Sequence, residues 1–374
     1  MGNLKSIERS SKRALMRAMG KIIRTQKLSP EEILRRHPER ILIIRQHNQM
    51  GDMVLAIPAL RAVKESFPRS EVGIVTSTIN RDVMLNNPYV DHLFVYEKQR
   101  VHSLPGFVMA IRRKRFDLVI VLNTVSFSFT SAVLALLSGA KIRVGSSSLP
   151  FGSEIGGSFY HLELPLPGEA ELREMSETEH NLYPLRMLGI STNDLSPLLV
   201  PSLESEVWAQ DFSSECWRSD QLKLVVHPGA GKKENIWAPE KFAAVVNRLN
   251  SVRPVGLVVV SGPRDAKPVA AFLQNVSVPG KVLEARSIGD VAAVMKKSDL
   301  VICNDTGTMH VACAAGARTL GVFGPTDPKR WAPRSPNLCT IQAPEKRLDL
   351  LTWEMVFEKA LEALQLVSRT QYDL

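Results

Sequence analysis

The chain has 374 residues, enough for two domains that each bury a core, and its 44% hydrophobic and 23% charged content is that of an ordinary water-soluble globular protein. No apolar run approaches the ~18–20 residues that a spanning helix needs, and the opening residues do not read as a signal peptide. The cysteines at 216, 303, 313 and 339 form no C-x-x-C pair, which argues against a zinc site or a disulfide scaffold and suits a reducing compartment.

The net charge of +9 is concentrated at the start of the chain. Residues 1–27 hold eight cations against one acid, Glu8, a net +7, and Leu4, Ile7, Leu15, Ala18, Met19, Ile22 and Ile23 recur at helical spacing among them. A basic amphipathic helix of this kind can lie on an anionic membrane surface, and a solvated basic arm has the same composition. Nucleic acid is set aside as a partner, because the segment has no aromatics for stacking and no recognised motif. We take residues 1–38 as an N-terminal extension.

Past Pro38 the pattern is that of alternating strands and helices. Residues 41–45 are a continuous β-rich run of the buried parallel type. A polar loop then ends in Gly51-Asp52, and residues 53–66 read as a helix that Pro58 kinks or begins. Further strands are expected at 72–76, 93–96 and 118–123, a basic helix around 111–114, a buried helix over 127–140, irregular chain over 150–168 and a helix at 178–188. A mixed stretch at 191–220 reads as the linker between a first domain, 39–190, and a second, 221–350. In the second, strands are expected at 222–226, 256–261, 300–304 and 319–323 and helices at 240–249, 266–274, 288–297 and 308–315. A C-terminal helix at 351–374 is placed to pack back across the domain junction. The fold class is α/β, two Rossmann-like domains with parallel sheets facing a central cleft, and no G-x-G-x-x-G element marks a dinucleotide enzyme.

Ligands of such sheets sit beyond the carboxyl ends of the strands. Asp52 follows the first strand, where its carboxylate can serve as a general base or cap the helix that follows. In the second domain the run His227-Pro-Gly229-Ala-Gly-Lys232-Lys233 follows one strand, and Asp305-Thr306-Gly307-Thr308 follows another and opens a helix carrying His310. Free N–H groups at a helix start, glycine and nearby cations suit a phosphate. Each loop is equally an ordinary turn or cap, but two at the strand ends of one sheet together point to a nucleotide. His310 is a diphosphate contact or a core histidine. No metal-ligand cluster stands out.

Several segments resemble glycosyltransferase family 9, the ADP-heptose:lipopolysaccharide heptosyltransferases. They are Met50-Gly-Asp52 with Ile57-Pro-Ala-Leu-Arg-Ala-Val-Lys64, Glu179-His180 through Gly189, His227-Pro-Gly-Ala230, Trp237-Ala-Pro-Glu-Lys-Phe242, Asn304-Asp-Thr-Gly-Thr-Met-His310, Phe323-Gly-Pro-Thr326 and Trp331-Ala-Pro333. The resemblance implies the GT-B fold and an inverting transfer without metal or other cofactor. The donor would be a nucleotide sugar, ADP-heptose or a relative, and the acceptor a lipid-linked saccharide of the lipopolysaccharide core type. The enzyme would work as a cytoplasmic protein peripheral to the inner face of the membrane. The resemblance carries the base role onto Asp52 and donor diphosphate and sugar contacts onto Asp305, Thr306, Gly307 and His310. It also places Asp265, in the turn Ser261-Gly-Pro-Arg-Asp265, near the donor nucleoside.

Two departures stand out. Asn235 occupies a position where the family carries a lysine, so Lys232 or Lys233 is the candidate substitute. The loop holding His47, Asn48 and Gln49, assigned to the acceptor side, replaces a shorter serine-containing form. The alternatives are a sugar-nucleotide epimerase of the same shape and a catalytically degenerate, membrane-docking relative that only binds nucleotide sugar.

Overall fold

The computed structural model describes residues 23, 25–46, 49–123, 127–147, 158–284 and 287–370. They form two compact units, each around its own parallel six-stranded sheet. The first unit takes the chain up to Asn48 together with Ala56–Met84 and Pro88–Leu195; the second takes Gln49–Leu55, Leu85–Asn87 and the chain from Ser196 onward.

In the first unit the strands are β1 Arg40–Ile44, β2 Glu71–Ser77, β3 His92–Tyr96, β4 Leu118–Val121, β5 Ile142–Ser146 and β6 Leu162–Leu164. Their order is β3-β2-β1-β4-β5-β6, the doubly wound arrangement. Ile41, Leu42, Ile43 and Ile44 of β1 are all fully buried, as a strand covered on both faces must be. β5 was not anticipated, and β6 lies in the stretch expected to be irregular. Both hold polar residues (Arg143, Glu163) that break the apolar run, yet Val144 pairs with Leu162 in parallel register.

Part of the N-terminal extension is docked on this unit. Ser29 caps the short helix Pro30–Leu34, whose Ile33 is buried. Leu28 N donates to His161 O at 2.9 Å, Lys27 Nζ donates to Tyr160 O at 3.1 Å and Ile23 packs against the core. Residues 25–28 of the basic segment are therefore pinned along 158–161, while residues 1–22 lie outside the described residues.

The second unit holds β7 Leu222–His227, β8 Val255–Val260, β9 Gly280–Leu283, β10 Leu300–Asn304, β11 Thr319–Phe323 and β12 Leu338–Gln342 in the order β12-β11-β10-β7-β8-β9, the same winding repeated. The flanking strands β9 and β12 are additions to the sequence reading. Alternate residues feed two cores: Leu224, Val226 and Ile302 meet Trp237, Phe242 and Val356 on one face, and Val225, Val301 and Cys303 meet Trp217, Val294 and Met309 on the other. The stretch read as a linker contains the helix Leu203–Cys216, capped by Ser202 and packed on the helix Ile288–Lys296. The C-terminal helix Trp353–Thr370 packs on the helix Pro239–Val252 and on β10, β11 and β12 of this unit. Among the described residues no helix is long and apolar enough to cross a membrane.

Gly145 of β5 lies flat against the ring of Tyr160, which is buried beside Phe127. Gly145→Ala drives a methyl group into that ring. The expected cost is about 1–3 kcal/mol of overpacking, read as an earlier midpoint in chemical unfolding followed by near-ultraviolet circular dichroism.

Candidate functional site

In the second sheet β7 and β10 are neighbours at the point where the winding reverses, so their carboxyl-end loops converge on the crevice that this topology leaves open. Asn304, the last residue of β10, is fully buried and ties these loops together. Its Nδ2 donates to Pro228 O and Gly229 O, both at 3.1 Å, and its Oδ1 accepts from Trp237 N at 3.0 Å. The sequence places it at the end of an apolar strand and at the head of the Asn304–His310 segment, without showing this tie.

Asp305 follows and is held on several sides. Its backbone N–H bonds Val322 O at 2.9 Å, Thr326 Oγ1 donates to its Oδ2 at 2.6 Å, and Asn235 Nδ2 reaches Asp305 O at 3.3 Å and Oδ2 at 3.4 Å. Burial raises its carboxyl above the ordinary carboxylate range, against the lowering effects of the Thr326 hydroxyl and the Lys232 charge. Lys232 and Lys233 are both exposed, and of the two it is Lys232 whose field acts on Asp305. Thr306 caps the helix Gly307–Ala314, its side chain accepting from Thr308 N at 3.0 Å.

His310 sits on the inner face of that helix, 5% exposed, with no partner for Nδ1 among the described residues. Burial lowers its pKa to about 4, so the ring is neutral around pH 7. Against it packs the short helix Met50–Val54. A Cβ at Gly51 would lie 2.9 Å from His310 Cδ2, and one at Gly307 would lie 2.7 Å from Met50 Cε. Glycine at both positions allows the two helices to approach this closely. Asp52 stands half-buried in the first turn of the Met50–Val54 helix, whose N-cap is Gln49, so Asp52 is not the N-cap that its spacing allowed. The predicted helix over 53–66 is two helices, Met50–Val54 and Ile57–Ser66, the second opening around Pro58.

Asp265 braces the β7 loop. Its Oδ2 accepts from His227 Nε2 at 2.9 Å and from Gly262 N at 2.8 Å, and its carboxylate packs so tightly on Gly229 that no side chain fits there. The His227 hydrogen bond holds its pKa below the usual range, opposed by burial. The structure thus brings together Gly229, Lys232, Asp305, Thr306, Gly307, His310 and the Asp52 helix, with Asp265 behind them. Gln49 is an exposed helix cap, and His47 and Asn48 lie outside the described residues. Among the described residues, no group of three or more histidine, cysteine or acidic side chains is placed to hold a metal ion.

The low pKa of His310 has a stability consequence. Its folded value near 4 lies below the ordinary 6.5, so the unfolded chain takes the proton more readily. The contribution is complete above about pH 6.5 and disappears as pH falls toward 4, at most about 3 kcal/mol in all. In urea titrations between pH 7 and pH 4, wild type is expected to lose more stability than His310→Gln. Parallel pH profiles would contradict the buried, neutral ring.

The profile of glycosyltransferase family 9 (heptosyltransferase) matches residues 106–359, a span that holds the β7 and β10 loops and begins after the Met50–Val54 helix. The chain is 23% identical over 318 residues to lipopolysaccharide heptosyltransferase 3 of Escherichia coli, covering 79% of this chain and 87% of that protein. It is 20% identical over 309 residues to lipopolysaccharide core heptosyltransferase OpsX of Haemophilus influenzae, covering 79% and 82%. The family 9 glycosyltransferase structure from Veillonella parvula aligns with a TM-score of 0.77 at 23% identity over 87% of this chain and 97% of that one. E. coli ADP-heptose lipopolysaccharide heptosyltransferase II aligns with a TM-score of 0.72 at 18% identity over 88% and 99%. These structural likenesses establish the shared GT-B fold, and the profile match, over well more than half of the sequence, establishes that the chain belongs to glycosyltransferase family 9.

Proposed function

We propose that this protein is an inverting glycosyltransferase that moves a heptose from ADP-heptose onto a lipopolysaccharide core or related glycolipid at the inner face of the cytoplasmic membrane, with Asp52 as general base. The observation that carries the reading is the packing of Gly51 on His310 and of Met50 on Gly307, which fixes the Asp52 turn to the loop with the strongest nucleotide signature. The curated relatives support the sugar and acceptor class by what they are, and a solved relative of the same fold, E. coli heptosyltransferase WaaC, is in complex with ADP-2-deoxy-2-fluoro heptose.

In this reading an acceptor hydroxyl attacks the anomeric carbon from the side opposite the diphosphate. The new carbon–oxygen bond forms as the bond to the diphosphate oxygen breaks, Asp52 takes the hydroxyl proton, and ADP leaves. A hydroxyl is a poor nucleophile at neutral pH, so the base acts where the barrier lies. The charge left on the diphosphate falls to the start of the helix Gly307–Ala314 and to Lys232 rather than to a metal. Neutral His310 offers Nδ1 to a donor oxygen, and Asp305 and Thr306 accept from the donor sugar. Asp265 holds the β7 loop through His227 and Gly229 and stands near the donor nucleoside. Acceptor contacts are assigned to His47, Asn48 and Gln49.

Asp52→Asn keeps the size of the side chain and removes its basicity. It is expected to lower transfer ~10²–10⁴-fold while melting temperature and calorimetric affinity for ADP-heptose stay close to wild type. Near-normal transfer by the folded variant would overturn the base assignment. For the membrane, the basic segment is expected to bind phosphatidylglycerol vesicles, with binding that weakens as salt rises. Deleting residues 1–22 keeps the pinned residues 25–28 and should abolish that sedimentation; unchanged binding would remove the membrane role from this segment.

A further inference from the structure

Asn235 closes the one-turn helix Lys233–Asn235, two residues before Trp237. The turn is held rigidly, since Trp237 is fully buried, its N–H bonds Asn304 Oδ1 and its Nε1 donates to Leu351 O at 3.1 Å. Asn235 itself is only 7% exposed. Its Nδ2 faces Asp305 O and Oδ2, which fixes the orientation of the amide: flipped, it would set a carbonyl oxygen against a carboxylate. The remaining atom, Oδ1, is buried and has no hydrogen-bond partner among the described residues. A buried acceptor without a partner is unfavourable, and binding sites are where such atoms are retained to meet a ligand's donor.

The neighbouring carboxylate is arranged in the same way. Both hydrogen bonds to the Asp305 carboxylate go to Oδ2, from Thr326 and from Asn235, and Oδ1 carries none among the described residues. Two oxygens with free lone pairs thus belong to side chains that are hydrogen-bonded to each other, and nothing in the Asn235 side chain is cationic. A phosphate, an acceptor of hydrogen bonds, is poorly served by two further acceptors. Neighbouring hydroxyls of a sugar are well served by them.

We propose that Asn235 Oδ1 and Asp305 Oδ1 together accept hydrogen bonds from two hydroxyls of the donor's sugar, making Asn235 a specificity-determining residue for the sugar, separate from the diphosphate site. The inference rests on the nucleotide-sugar reading above. It divides the loop into an exposed cation, Lys232, for the diphosphate and a buried neutral amide for the sugar.

Calorimetric titration of the full chain with ADP and with ADP-heptose tests it. Asn235→Ala is expected to leave ADP affinity within about twofold of wild type while weakening ADP-heptose by about 3–10-fold, the loss of one hydrogen bond between neutral partners. Asn235→Ser, which also removes the amide acceptor, should give the same split and serves if the alanine variant does not fold. Equal loss for both ligands, or no loss for either, overturns the assignment of Asn235 to the sugar. If wild type binds ADP but gains nothing from the heptose, or binds neither, the donor reading fails first and this inference with it.

Discussion

The donor-side architecture depends on one buried amide. Asn304 ends β10 at the centre of the second sheet and, with no exposed surface, bonds the backbone of Pro228, Gly229 and Trp237 at once. Those segments lie about seventy residues earlier in the chain, and the amide adds directional bonds to the register that the β7–β10 pairing and the Asn235–Asp305 contact already set. Removing the amide would strand three backbone groups, each at ~1–3 kcal/mol, at the point where the fold meets its ligand. A hydrophobic core fixes sheets and helices to within the tolerance of side-chain packing; a buried polar junction of this kind fixes loops more narrowly, because its bonds are directional.

Around this junction two aspartates are tuned in opposite directions. Asp265, bonded to His227 and to the Gly262 N–H, is held below the ordinary range, whereas burial pushes Asp305 above it. The first is a charge fixed by two protein donors on Oδ2, and it acts as a brace. The second keeps an oxygen available and bears its charge reluctantly. A donor that brings its own negative diphosphate is better tolerated beside the second kind of carboxylate than beside a second fully committed anion.

The interior of the fold was legible in the sequence, as was the edge strand β3, and the other margins were not. β1, β7, β8, β10 and β11 announce themselves as apolar runs because strands covered on both faces leave no room for polar residues. β5, β6, β9 and β12 carry Arg143, Glu163, Lys281 and Thr340 within short, partly exposed strands, so no run forms. The helix Leu203–Cys216 was hidden for a related reason: Leu203, 82% exposed, and Val207 point outward and blur the periodicity. At the site, Gly229, Gly307 and His310 could be picked out as residues of consecutive motifs. Asn235 and Thr326 also stood out, but nothing marked them as partners of Asp305, since they are distant from it in sequence. The N-cap alternative for Asp52 was undecidable from spacing, because it turned on whether the helix starts one residue before Gly51 or one after Asp52.

The interlock of Gly51 and Gly307 has a consequence for how this chain can vary. Each glycine leaves a space the size of a methyl group, and each space is filled from the opposite helix, by the His310 ring in one case and the Met50 methyl in the other. The two positions therefore share a single steric allowance, and a gain of volume at one is tolerable only with a loss of volume across the joint. Such pairs couple strongly in double-mutant cycles although neither member carries a charge or a reactive atom. Drift in this region is expected to be correlated, with Met50, Gly51, Gly307 and His310 changing as a set or not at all, so that the joint records its own geometry in their covariation.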